Sequence, residues 1–147
     1  MIFLLTTLIA LASQSSVVNT LPGADETRLW GEGLADGRHF DYTVKTTALS
    51  RVPEWFPERQ DPPLSFPRAV EIATSAVKAD HPEFHEFTLW TFRVQRIAAV
   101  EFQNRWFYVV EMYPMIEGKV LHQTDISVVV LMDGTVVKPT ERARSVR

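Results

Sequence analysis

The sequence predicts an α+β fold, one amphipathic helix packed on an antiparallel sheet of three to five strands. Three observations carry this expectation. Phe66, Ala69, Val70, Ala73, Ala76 and Val77 recur at spacings of three and four, with Arg68, Glu71, Ser75 and Lys78 on the opposite side, as in a helix with one buried face. Downstream, "FTLWTFRVQRI", "RWFYVVEMYP" and "DISVVVLM" are rich in aromatic and β-branched residues, and Asp133-Gly134 supplies a tight turn into "TVVKP". At 147 residues the chain is long enough for one core that buries about two-thirds of its unfolded surface.

The elements follow in chain order. Residues 1–12, MIFLLTTLIALA, form an apolar run ending in Ala10-Leu11-Ala12, the small-x-small pattern of a signal-peptide cleavage site. The run is shorter than the ~20 residues that span a bilayer, and it carries no Lys or Arg. Export follows as the expectation, to a secreted or periplasmic location in a bacterial envelope, with membrane contact only through an uncleaved signal. The absence of cysteine agrees with packing alone holding the domain, and it excludes thiol catalysis and iron-sulfur chemistry. Residues 13–39 are polar and glycine-bearing, with isolated anchors at Leu29 and Trp30, and specify no element. A single domain is expected over 40–140, followed by a flexible basic tail, 141–147, that contains Arg142, Arg144 and Arg147.

From Phe40 the period becomes two, with Phe40, Tyr42, Val44, Thr46 and Ala48 on one side and Asp41, Thr43, Lys45 and Thr47 on the other, which predicts a half-buried strand. Val52 to Pro67 then holds five of the nine prolines. Ser65 is a good N-cap residue, and Pro67 in the first turn forfeits no helical hydrogen bond. The helix ends near Asp80, because Pro82 disfavours the α region at His81.

The proline-rich segment has a use in this scheme. In "RWFYVVEMYP", Trp106, Tyr108, Val110 and Met112 point one way and Phe107, Val109 and Tyr113 the other, so both faces of the sheet are apolar. One helix covers one face. The segment from Phe40 to Leu64, stiffened by proline and anchored by Trp55 and Phe56, is the candidate cover for the second. Trp55, Phe56, Phe107 and Tyr113 therefore form a candidate strap or binding surface, the alternatives being a partner-facing edge and a linker. Pro53 and Pro57 are four apart, so no PxxP core for an SH3 partner is present there.

Chemistry-bearing patterns are sparse. A net charge of -3 with scattered arginines offers no track for nucleic acid. His81 and His85 are four apart but Pro82 lies between them, unlike a zinc-protease helix, so no metal and no cofactor is expected. Glu101 and Glu111 would be paired carboxylates only if a hairpin brought them together, and solubility explains them as well. Gly31 to Gly37 precedes a strand, lacks the lysine of a phosphate loop and carries two acids. Ser127 lacks a G-x-S-x-G elbow and reads as an outward-facing polar residue, and His39 and His122 read as surface imidazoles. No catalytic residue is assigned.

The order of "PPLSFPRAVEIATSAVKA", a sheet strand, "RWFYVVEM" and "VVVLMDGTVVKP" resembles the PepSY-like domains of exported bacterial proteins. Ala69-Val70-Glu71-Ile72-Ala73 and Asp133-Gly134-Thr135-Val136-Val137 carry the match, over roughly residues 60 to 140. The "VPEWFPERQDPPLS" entry, "WFYVV" and "VVVLMDGTVV" are similar to small exported proteins of planctomycete-type bacteria. The resemblance implies a noncatalytic envelope module, with peptidase inhibition available by analogy and no functional residue to carry over, since the matched positions are structural. The expected function is an exported binding module for a protein or peptide. The alternatives are a cystatin-like domain enclosing a small apolar ligand and an envelope hydrolase built on Glu101, Glu111, His122 and Asp125.

Overall fold

The computed structural model describes residues 25–34 and 37–142. The predicted signal segment and most of the basic tail lie outside these residues. The elements are β1 (Glu26–Gly33), β2 (His39–Lys45), α1 (Thr46–Leu49), α2 (Phe66–Asp80), β3 (Glu86–Arg96), β4 (Trp106–Ile116), β5 (Lys119–Val120), β6 (Ile126–Leu131), β7 (Val136–Val137) and β8 (Pro139–Glu141). They make an α+β fold with one main helix and two antiparallel sheets. The larger sheet runs β3-β4-β6-β7 with β5 paired to β4, and the smaller runs β1-β2-β8.

The helix forms where its periodicity places it. Ser65 is the extended N-cap residue, Pro67 sits in the first turn, and Ala69, Ala73 and Val77 are buried along one stripe. Their small size lets the helix sit close to β6 and β4. Thr74 Oγ1 reaches Met112 Sδ at 3.8 Å, and the Tyr108 hydroxyl donates to the Leu64 carbonyl just before the helix at 2.5 Å. The helix therefore covers the face of β4 that carries Tyr108, Val110 and Met112. At the Asp133-Gly134 turn, Gly134 has φ +88° and its N–H donates to the Leu131 carbonyl, a conformation that glycine adopts without steric cost.

The opposite face of β4 is covered by the smaller sheet. Tyr42 of β2 is 1% exposed and hydrogen-bonded to the Ser127 carbonyl of β6, and Trp30 of β1 stacks beneath the Arg93 guanidinium of β3. Two expectations change here. Residues 13–39 specified no element, yet Glu26–Gly33 is a strand paired to β2. Its register shifts between Arg28 and Trp30, so the bulge at Leu29 breaks the alternation that would have announced it. Similarly, the strand expected to continue past Lys45 turns into α1, which buries Leu49.

A third change concerns the strap. The part of Phe40–Leu64 that covers the second face is β2, a paired strand, and not the proline-rich stretch with Trp55 and Phe56. A strand in a sheet covers a face while its backbone groups bond to neighbours, which an irregular proline segment does not achieve. The stretch instead wraps the end of the larger sheet. Glu54 forms a bridge with Arg105, and the Trp55 N–H donates to the Asn104 carbonyl at 2.8 Å. The Arg105 carbonyl accepts from Ile97, so β3 and the strap flank opposite sides of the entry to β4. From there the strap ends beneath Tyr108 on the helix side. At the other end of the chain, β8 leaves the larger sheet after β7 and pairs with β2, which ties the two sheets together covalently.

Candidate functional site

Polar residues meet between the two sheets. Glu32 of β1 accepts hydrogen bonds from the Tyr42 hydroxyl at 2.8 Å and from Ser127 Oγ at 2.5 Å. The Tyr42 hydroxyl also lies 2.9 Å from the Ser127 carbonyl, so its single proton faces two acceptors. Glu111, the cross-strand partner of Ser127, takes two hydrogen bonds of 2.7 Å from Arg93 Nη2. Arg93 in turn lies 5.3 Å from the Trp30 ring centroid, a cation–π distance. The Trp30 indole N–H is buried without a hydrogen-bond partner among the described residues. Burial, then the negative charge of Glu32 and its hydrogen bond, then the charge of Glu111, push the Tyr42 phenol far above the ordinary tyrosine value.

This seam joins the two sheets. Ser127 gives its proton to a carboxylate and not to an imidazole, and both it and Tyr42 are buried. The sequence reading placed Ser127 on the outside and Glu111 at a solvated edge. Both instead face the second sheet, because Glu32, Tyr42 and Arg93 compensate them there. Arg105 was missed in the same way. Its side chain donates to the Val52 carbonyl at 2.8 Å and the Ser50 carbonyl at 3.3 Å, approaches Glu54 at 3.6 Å and lies over Phe102. No local pattern distinguishes such an arginine from the others, because its hydrogen-bond and ion-pair partners are about fifty residues away in the sequence.

The four residues of the proposed strap surface separate. Trp55 packs edge-on against Trp106 at 5.2 Å, its indole N–H donates to the Gln60 carbonyl, and its own carbonyl accepts from the Trp106 indole. Phe56 is half-buried under Arg59. Phe107 is enclosed in the core, and Tyr113 lies half-buried near the far end of β4. Other groups stay apart. His85, Glu101, His122 and Asp125 are exposed, and His81 meets only Glu83 and the Phe84 ring. No group of three or more metal-ligating side chains occurs among the described residues.

What remains open is the outer edge of β3. This strand pairs only with β4 among the described strands and runs for 11 residues, with Leu89, Trp90 and Val94 exposed along it. Trp90 falls where the register shifts between Leu89 and Thr91, and it is 63% exposed. The bulge turns its ring onto Tyr113, at 5.4 Å, which in turn meets His122 at 5.2 Å. On the helix side of the same strand, Phe66 meets Phe92 at 4.2 Å and Phe92 meets Tyr108 at 4.8 Å. Aromatic rows thus flank the open edge above and below. Its backbone polarity follows from one bond. The Ile97 N–H points at β4, so alternation along the strand turns the N–H and C=O groups of Phe92, Val94 and Arg96 outward. Comparison with models of known families, with curated proteins and with solved structures finds no match.

Proposed function

We propose that this chain is an exported binding module that takes an extended segment of a partner protein as an additional strand on the open edge of β3. The observation that carries this reading is the coincidence of outward backbone groups at Phe92, Val94 and Arg96 with exposed Leu89, Trp90 and Val94. Strand addition obtains affinity from main-chain hydrogen bonds and selectivity from side chains that alternate between the two faces. Here the aromatic row through Phe66 and Phe92 offers one set of contacts and Trp90 with Tyr113 the other. Natural proteins shield long edges with charged residues, Pro, bulges or very short strands; β3 carries one bulge, at Trp90, and two arginines, but its 11 residues include no Lys or Pro. The apolar residues 1–12 support export, and the PepSY-like resemblance, which implies a noncatalytic envelope module, supports the same class of role.

The test is a proline at Val94. Val94→Pro removes an outward N–H and leaves the ladder to β4, whose bonds come from the neighbouring residues. Capture of partners from envelope extract is expected to fall at least about tenfold, with the thermal midpoint changed by less than about 4 °C. Undiminished capture by a folded Val94→Pro protein would overturn the reading.

A further inference from the structure

The open edge of β3 is not one continuous template. From Thr91 to Arg96 the register with β4 is regular, and Phe92, Val94 and Arg96 turn their N–H and C=O groups outward. Trp90 is the extra residue of the bulge, and before it Leu89 faces Met112 and Phe87 faces Pro114. The Pro114 carbonyl accepts from Leu121, on the side of β4 away from β3. Facing residues in an antiparallel pair turn their groups either toward each other or apart, so Phe87 and Leu89 are the outward residues of this first half. Across the bulge the outward residues, Leu89 and Phe92, are three apart, and elsewhere along the strand they are two apart. A regular strand repeats every two residues and therefore fits one half or the other.

We propose that the half from Thr91 to Arg96 receives the partner strand, antiparallel, and selects a short amphipathic segment with an acidic residue at its N-terminal end. This selection rests on the strand-addition reading. The second half offers three outward residues where the first offers two. Its two faces set the pattern. On the helix side, exposed Val94 and the Phe92–Phe66 ring pair match apolar residues placed opposite Val94 and Phe92. On the other side Thr91, Arg93 and Gln95 are polar, and Glu111 already balances the charge of Arg93, so uncharged polar residues fit there. Arg96 supplies the charge preference. It is exposed and has no hydrogen-bond or ion-pair partner among the described residues. Antiparallel pairing is the more stable ladder and sets the partner's N-terminal end beside Arg96, where Glu or Asp completes a cross-strand ion pair. Trp90, 63% exposed at the bulge, marks the other end of the paired segment, about six residues on.

Peptides blocked at both ends test this: Glu-Thr-Val-Thr-Val-Thr, the same with Lys in place of Glu, one with the Glu moved to the C-terminal end, and the first extended to twice its length by Val-Thr repeats. Amide-shift titrations of the labelled protein give the affinities and the site. The first peptide is expected to shift Phe92, Val94 and Arg96, to leave Phe87 and Leu89 in place, and to bind about fivefold more tightly than the lysine peptide, the size of a cross-strand ion pair exchanged for repulsion. In Arg96→Gln that ratio is expected to fall below about twofold. The extended peptide is expected to gain less than about threefold, since it cannot keep its register past the bulge. Equal affinity for the glutamate and lysine peptides, or an undiminished ratio in Arg96→Gln, would overturn the charge selection. Tightest binding by the peptide with C-terminal Glu would overturn the direction. A gain of about tenfold on extension, with shifts at Phe87 and Leu89, would overturn the division at Trp90. Each of these leaves strand addition in place. Failure of every peptide to shift Phe92, Val94 and Arg96 would overturn strand addition, and the selection with it.

Discussion

At the scale of single residues, the strongest commitments are made by aromatic side chains with polar tips. Trp55 is half-buried, with its ring on Trp106 and hydrogen bonds through both its indole and its backbone. Trp55→Ala is expected to lower unfolding free energy by about 2 to 3 kcal/mol in denaturant melts, less than a fully buried aromatic would cost. A change below about 0.5 kcal/mol would mean that the strap does not hold the sheet end. Tyr42 is the counterpart between the sheets. Tyr42→Phe leaves the Ser127 carbonyl without the phenol in a buried setting and Glu32 with one donor fewer in a part-buried one. The expected loss is about 1 to 3 kcal/mol by the same measurement. By contrast, the exposed pairs of Arg28 and Arg142 with Asp41 contribute little, since exposed ion pairs are worth about 0 to 1 kcal/mol.

At the scale of elements, β3 is the long edge strand of the larger sheet, since β5 and β7, which also have one partner each, are two residues long. β4 is paired on both sides, and β6 lies between β4 and β7, whereas β3 has one partner. Its amides should therefore divide by direction. Those of Phe92, Val94 and Arg96 point outward and are expected to exchange with solvent at least about tenfold faster than those of Arg93 and Gln95, which point at β4. Amide exchange followed by NMR checks this. Uniform protection along β3 would show that the edge is occupied in the free protein. The helix α2 makes a different kind of contribution. Its Ala69, Ala73 and Val77 stripe gives close approach, and its first residue, Phe66, extends the aromatic row toward the open edge.

At the scale of the molecule, the two sheets are joined by the polar seam, by the shared apolar core and by two passages of the chain, the long one from β2 through α1 and α2 to β3 and the short one at Lys138 between β7 and β8. The Lys138 ammonium also pairs with Asp80 at the end of α2. Burial raises the phenol of Tyr108 as well as that of Tyr42, so two of the three tyrosines keep their protons in the folded chain at a pH where the unfolded chain releases them. With the folded values raised, this stability is fully present below about pH 10, the unfolded tyrosine value, and is lost as pH rises beyond it. Each such tyrosine contributes up to about 1.4 kcal/mol per pH unit to that fall. Urea melts between pH 9 and about 11 are expected to show a steep decline in the wild type and a shallower one in Tyr42→Phe. Parallel declines would show that Tyr42 ionises alike in both states.

Local physics was readable in the residues alone. The 3.6 period with Ser65 and Pro67 specified α2, the aromatic and β-branched runs specified β3, β4 and β6, and Asp133-Gly134 specified their last hairpin, because each depends on neighbours within a few residues. The two apolar faces of β4 showed that a second cover was needed. What that cover is was decided in three dimensions. β1 was hidden by the bulge at Leu29, and β8 pairs with β2 about a hundred residues away, so neither leaves a short-range pattern. Polar residues misled for the same reason. Ser127 and Glu111 read as solvated from their polarity alone, although alternation sets them in line with Val129 and Val109, and Glu32, Tyr42 and Arg93, arriving from other elements, give them partners between the sheets. The open edge of β3 belongs to this second class too, because a strand's own residues do not reveal which side lacks a partner; that depends on where every other strand has gone.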